Sequence, residues 1–302
     1  MNGNIEYLLE RINKIYSEKF VDEIINGYKV KRKTTLRVNT TISTYAEIEE
    51  ELSKINCSYS KVSWYKDAYI LNNLYENDII NLDIYKEGKI YLQSLSSMIP
   101  PLVLHPEENS SILDMAAAPG GKTTQIANLA NSNANITAIE KNRARCEKLR
   151  YNILKQKSKR INIIEHDARK LEECFIFDKI LLDAPCSGSG TIDYNNQRSY
   201  KFFNSELVSR SVETQKELIK KASKLLRVGG ELVYSTCSIL KEENEDIVNI
   251  LLKTNNFQIV PIDFNLFSDV STLPVSIPGT MCVLPNENYE GFFVAKLIKI
   301  KW

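Results

Sequence analysis

From Ile112 onward, short apolar runs alternate with amphipathic stretches, and this rhythm constrains the fold more than any other feature. Apolar runs over 112–115, 135–139, 161–165, 178–183, 231–236 and 292–298 predict strands. The periodicity over 123–130, 142–156, 205–226 and 242–252 predicts helices, the third of them closed by Gly229-Gly230. Strands alternating with helices mean βαβ units and a mostly parallel sheet. Such sheets bind ligands beyond the carboxyl ends of their strands. Every motif considered below falls at one of those ends.

The region before Ile112 has a different texture. Residues 1–27 carry Ile5, Leu8, Leu9, Ile12 and Ile15 at helical spacing, and Gly27 reads as a stop. Residues 36–39 and 64–71 are strand-like, and 45–55 is helical in pattern, so a small α+β segment extends to about Gly88. A length of 302 residues suits about two domains. The expected division is a small N-terminal α+β domain over 1–95 and an α/β domain over 96–302. The 39 basic and 38 acidic residues leave a net charge of +1. No global field therefore attracts nucleic acid or an anionic membrane, and any such partner must meet a local patch.

The six cysteines, Cys57, Cys146, Cys174, Cys186, Cys237 and Cys282, contain no C-x-x-C, and only His105 and His166 could join them, so no metal site is expected. There is no secretory h-region and no apolar run near the length of a membrane span. A cytoplasmic monomer with free thiols is the expectation, and catalytic use of a thiol is open to it.

Asp114-Met115-Ala116-Ala117-Ala118-Pro119-Gly120-Gly121-Lys122-Thr123 leads a strand through a tight turn of small residues into a helix. Such a turn lets the backbone approach a ligand, and the helix N-terminus offers free N–H groups. A phosphate-binding P-loop would need Gly where Ala116 stands, and Pro119 removes a donor. Glu140 follows at the next strand end, about twenty residues on, where an acidic residue binds ribose hydroxyls in nucleotide-type sites. Asp167, at the strand end after that, suits an adenine amino group, a helix cap, or both. Asp183-Ala184-Pro185-Cys186-Ser187-Gly188-Ser189-Gly190 and Tyr234-Ser235-Thr236-Cys237-Ser238 each bring a thiol to a strand end. A buried cysteine is usually inert core. Two thiols at two strand ends above a ligand turn are in an active-site position.

These pieces resemble the RNA cytosine-C5 methyltransferases of the NOL1/NOP2/Sun (RsmB/NOP) family. The match includes Leu36-Arg37-Val38-Asn39-Thr40, Gln93 to Met98, the Asp114 to Thr123 turn, the Pro-Cys and Thr-Cys loops, Glu242-Glu243-Asn244-Glu245, and Gly291 to Ala295, in family order. Two positions depart from the family: Ala116 replaces a frequent Cys, and Val283-Leu284 precedes Pro285 without the usual Arg. The resemblance implies a Rossmann-like class I fold that uses S-adenosylmethionine as methyl donor. It places Ala116, Ala117, Ala118, Pro119, Gly120, Gly121, Lys122, Glu140, Asp167 and Asp183 around that cofactor, with Arg145 beside them. It implies methyl transfer to C5 of a cytosine in rRNA or tRNA.

Cytosine C5 is a poor nucleophile. A thiolate that adds to C6 makes the ring enamine-like, so covalent catalysis divides one hard step into easier ones. The resemblance assigns Cys237 as nucleophile and Cys186 as the group that lets product go, with Asp183 placed to stabilise the adduct at N3. Spacing alone does not choose between the thiols, since DNA cytosine methyltransferases use a Pro-Cys thiol. DNA or protein methylation, and an inactive RNA-binding scaffold, are the rival functions. For RNA phosphates the local patch is Lys31, Arg32, Lys33 and Arg37, with Lys29 beside them. The basic helix over 142–156 is a second patch or a solvated face. Tyr194, Tyr200, Phe202 and Phe203 suit either base stacking or the core.

Overall fold

The computed structural model describes residues 3–302. Two sheets organise it. The first is antiparallel, in the order β2-β3-β1-β4, from β1 (Thr34–Val38), β2 (Tyr59–Val62), β3 (Tyr65–Leu71) and β4 (Ile90–Leu92). Helix α3 (Tyr45–Lys54) and the short α4 (Glu76–Ile79) and α5 (Asp83–Lys86) cover it, around a core that includes Leu36, Ile48, Leu52, Tyr69 and Ile84.

The second sheet has nine strands. Its parallel part comprises β5 (Ser111–Asp114), β6 (Asn135–Glu140), β7 (Ile161–Glu165), β8 (Phe177–Asp183) and β9 (Leu226–Thr236). Strands β10 (Phe257–Ile259), β11 (Thr272–Leu273), β12 (Met281–Val283) and β13 (Phe292–Lys299) are antiparallel to their neighbours. The order is β11-β12-β13-β9-β8-β5-β6-β7, with β10 paired to β13. Strand β5 leads by one crossover to β6, yet lies against β8 on its other side. The strand order therefore reverses there, and crevices at such reversals hold ligands. Helices α6 (Leu95–Leu104), α7 (Gly121–Leu129), α8 (Arg143–Lys155), α9 (Ser205–Leu225) and α10 (Glu245–Leu252) flank this sheet. None of the described helices is long and apolar enough to cross a membrane.

Helices α1 (Gly3–Ile15) and α2 (Glu18–Lys29) do not join the small sheet that follows them in the chain. Leu8, Ile12, Val21, Ile24 and Tyr28 are buried with residues of α9, α10 and the nine-stranded sheet. The domain expected over 1–95 is thus divided: its first two helices pack with the large sheet. Gly27 does not stop α2, which runs on to Lys29. A side chain there would meet the Pro285 carbonyl oxygen at 2.0 Å, so close approach of two backbones requires the glycine. Gly229-Gly230 likewise does not close α9. Helix α9 ends at Leu225, and the glycines lie inside β9, where the register against β8 shifts.

Candidate active site

The carboxyl ends of β5, β6, β7, β8 and β9 meet around a cavity of about 200 Å³. Its lining includes Ala116, Ala118, Glu140, Arg145, Asp167, Asp183, Cys186 and Cys237. The Asp114–Thr123 turn separates it from a second cavity, also about 190 Å³, whose lining includes Ala117, Pro119, Gly121, Lys122 and Ser97. Ala116, Ala118 and Asp183 face both. Gly120 lines neither of these. It takes φ +109°, and a side chain there would press on Leu149 of α8 at 3.0 Å, so the glycine allows the turn itself.

The first wall is held by short-range contacts. Thr123 Oγ1 donates to the buried Asp114 carboxylate at 2.7 Å, and burial pushes the Asp114 carboxyl up to about 6. Glu140, almost fully buried, accepts from the backbone N–H of Asn142 at 2.8 Å and faces Arg145 Nε at 3.6 Å. Arg145 also donates to the Ala118 carbonyl at 2.7 Å, so it braces the turn from β6's side. Asp167 caps a single 3-10 turn over Ala168–Lys170 and pairs with Arg169 at 2.5 Å. The Arg169 guanidinium holds its carboxyl down at about 2. Capping and cavity lining therefore coexist at Asp167.

The second wall carries the thiols. Cys186 and Cys237 are half-buried, with their sulfurs 2.9 Å apart. The neighbouring Cys237 thiol, followed by burial, pushes the Cys186 thiol well up. Asp183 pairs with Lys122 Nζ at 2.8 Å and accepts from Ser235 Oγ at 2.7 Å. Lys122 also donates to Ser97 Oγ at 2.6 Å and lies over the Phe292 ring. The thiol loops are laced together. Ser189 and Ser238 hydroxyls meet at 2.8 Å, Gly190 N–H donates to the Cys237 carbonyl at 3.0 Å, and Gly291 N–H donates to the Gly190 carbonyl at 2.8 Å. The hydroxyls of Tyr28 and Tyr16, from α2 and the bend before it, donate to the Ser189 and Ile239 carbonyls, each at 2.7 Å.

Arg169 is a site residue outside every motif, while Ser97, Ser235 and Glu243 lie within matched segments that gave them no role. Glu243 falls in the Glu242 to Glu245 segment, whose family match is the one signal pointing to it. Among the described residues no group of three or more His, Cys, Asp or Glu side chains gathers as a metal site would require.

The basic cluster is only partly available to a ligand, and Arg37 is a correction. Arg37 is fully buried, donates to Gln93 at 3.2 Å and Thr124 at 3.0 Å, and lies against the Tyr91 ring. It joins the small sheet to α7 and cannot reach a phosphate. Arg32 donates to the Thr191 and Ile192 carbonyls at 3.3 and 3.0 Å, and Lys33 pairs with Glu287 at 3.2 Å. Lys31 is exposed, over the Tyr75 ring at 3.3 Å. These three residues line a groove of about 460 Å³ with Tyr75, Gln93 and Ser94. Of the aromatic residues after the Pro-Cys loop, Phe203 is core, Tyr194 and Tyr200 pack against it, and Phe202 is exposed.

The model of the family described as 16S rRNA methyltransferase RsmB/F matches residues 101–298. A "Ribosomal RNA small subunit methyltransferase F" from Shewanella oneidensis is 31% identical over 93% of this chain and 60% of its own length. The Shewanella denitrificans protein of the same name is 32% identical over 92% of this chain and 57% of its own. The chain thus spans less than two thirds of the length of these curated relatives. A crystal structure titled methyltransferase homolog protein from Pyrococcus horikoshii is 28% identical, with a TM-score of 0.78 over 97% of this chain and 98% of that one. NSun6 from Pyrococcus horikoshii, solved with SFG, shares the fold at 23% identity, with a TM-score of 0.86 over 98% of each chain. The matched segment spans the Rossmann-like sheet from β5 into β13 and includes both thiol loops, so the chain belongs to the RsmB/F rRNA methyltransferase family, on a class I methyltransferase fold.

Proposed function

We propose that this chain transfers a methyl group from S-adenosylmethionine to C5 of a cytosine in structured RNA, through a covalent bond between Cys237 and C6. One observation carries the reading: two thiols face each other on the wall of a cavity whose opposite wall holds the carboxylates of Glu140 and Asp167.

The residues fit the cofactor. Glu140 and Asp167 sit at successive strand ends, where hydroxyl and amino donors of a nucleoside would find acceptors, and Met115, Ala116, Ala118 and Leu218 give the same cavity apolar surface. Bound there, the cofactor supplies a methyl group made electrophilic by a sulfonium. The curated relatives, named as rRNA methyltransferases, support the assignment.

Cys237 adds its thiolate to C6, which makes C5 nucleophilic. Asp183 faces N3 of the base, where its carboxyl hydrogen-bonds the adduct, and Lys122 and Ser235 fix its orientation. Cys186 acts later, in resolving the methylated adduct: a base takes the C5 proton, the electrons of that C–H bond re-form the C5–C6 double bond, and the sulfur of Cys237 leaves C6 as a thiolate. The small sheet and its groove, with Lys31 at the mouth, receive the RNA backbone.

Labelled cofactor should transfer its methyl group to transcripts of small-subunit rRNA or of tRNA, and digestion should yield 5-methylcytidine. Label in DNA or protein, or no label at all, would overturn the proposal. Bisulfite sequencing of the methylated RNA then names the cytosine.

A further inference from the structure

Beneath the two thiols lies a side chain to which no role has yet been given. Glu243 is fully buried. One of its oxygens accepts from the backbone N–H of Ser187 at 2.7 Å, and the other from the Ser187 hydroxyl at 2.6 Å and the Ser238 hydroxyl at 2.6 Å. Ser187 follows Cys186, and Ser238 follows Cys237. Gln215 of α9 completes the arrangement, donating to the Pro185 carbonyl at 2.9 Å and to Glu243 at 3.4 Å. A carboxylate is acceptor-only and takes several donors at once, so one group can gather both loops. Burying a carboxylate is costly, and burial pushes the Glu243 carboxyl up. Here the cost is offset by donors from both thiol loops and from α9.

We propose that Glu243 is a positioning residue that sets the spacing of the Cys186 and Cys237 thiols by holding the residue after each on a single carboxylate. Its effect on catalysis rests on the function proposed above. Attack and release use both sulfurs on one base, so their separation decides whether an adduct, once formed, is resolved. A misplacement of about 1 Å at a reacting group can cost on the order of a hundredfold in rate.

The spacing is testable without RNA. Diamide, an azo oxidant, takes two electrons and two protons from a pair of thiols, giving a disulfide and a hydrazine. In protein carrying Cys174→Ala, to remove the exposed thiol, mapping should find the Cys186–Cys237 linked peptide. Glu243→Ala should form that link on the order of tenfold more slowly, because thiol exchange depends on access and alignment. Glu243→Gln should restore most of the rate, since the Ser187 and Ser238 hydroxyls can turn to accept from an amide. The double variant Ser187→Ala/Ser238→Ala, which keeps the carboxylate, should resemble Glu243→Ala and serves if the latter does not fold. In methylation, Glu243→Ala should lower kcat and leave adduct on denaturing gels, with KM for RNA unchanged. Linking at the wild-type rate in folded Glu243→Ala would overturn the proposal. Absence of methyl transfer by the wild-type protein would overturn the catalytic reading alone, and the oxidation rates would still decide the spacing.

Discussion

The two walls of the cleft are built by different means. On the wall proposed to hold the cofactor, called the cofactor wall below, each carboxylate is fixed by a neighbour in the chain: Glu140 and Asp167 by residues two positions on, Asp114 by a residue nine positions on. On the thiol wall the partners are far apart in sequence. Ser187 reaches Glu243 across 56 residues, Ser189 reaches Ser238 across 49, and Tyr28 reaches Ser189 across 161. A wall made of local contacts survives changes elsewhere. One made of long-range contacts depends on the whole fold being closed.

The largest expected effect is on the thiol wall. Cys237→Ala should abolish turnover and leave no covalent RNA complex. Cys186→Ala should still attack and leave an adduct that survives denaturing gels. The double variant should match Cys237→Ala, since residues acting in sequence are not additive. If Cys237→Ala traps the adduct and Cys186→Ala does not, the roles are reversed.

Next is Arg37, which ties the small sheet to the first turn of α7 on the cofactor wall. Arg37→Ala should cost about 3 kcal/mol in denaturant unfolding through lost packing and unpaired buried acceptors. The salt dependence of RNA binding should not move. A changed salt slope with stability intact would mean Arg37 reaches RNA after all.

Glu140→Ala should weaken cofactor affinity by about 1.5–3 kcal/mol in calorimetry, the scale of hydrogen bonds to a charged acceptor. The diamide link between the thiols should form as before, because the walls are held separately. Loss of both together would break the distinction between them.

Asp114 gives a pH test of the cofactor wall. Its carboxyl stands at about 6 in the fold, against an ordinary 3.8. The folded state therefore keeps a proton that the unfolded chain has released. The stability this adds is present below pH 3.8 and is lost as pH rises through about 6. Asp114→Asn should remove that contribution, so that urea stability at pH 4 falls relative to that at pH 7 by on the order of 1–2 kcal/mol compared with the parent. The smallest effect belongs to Lys31. With Arg32 and Lys33 engaged within the protein, Lys31→Ala should lower the salt slope of RNA binding by about one unit. A slope identical to that of the parent would make this lysine an ordinary solvated side chain.

The same contrast explains what the sequence makes legible. The cofactor wall is a local object, so the turn, Glu140 and Asp167 stand at the strand ends their spacing indicates. The parallel strands β5 to β8 are also local in period and fall where expected, whereas β9 begins at Leu226, ahead of the glycines expected to precede it. The strands β2, β4, β10, β11 and β12 carry no such signal, being short and defined by pairing with distant segments. Helix α6 hides behind Pro100 and Pro101, residues that normally argue against a helix. Arg37 misleads because a run of basic residues looks alike whether it faces water or Gln93. Glu243 is hard to read for the opposite reason: the family match marks its segment, but nothing in a run of acidic residues tells which one is buried.

The last described strand has a consequence for synthesis. Strand β13 pairs with β9 from Phe293 opposite Thr236 to Ile298 opposite Glu231, and Gly291 binds the Pro-Cys loop through Gly190. A side chain on Gly190 would stand 1.9 Å from the Gly291 carbonyl oxygen, so these backbones can only meet bare. On a ribosome, β9 and its thiol emerge first and remain an open sheet edge until β13 follows. Such an edge invites pairing with other chains. A nascent chain halted between the two strands would therefore hold both cysteines beside an unpaired edge of β9.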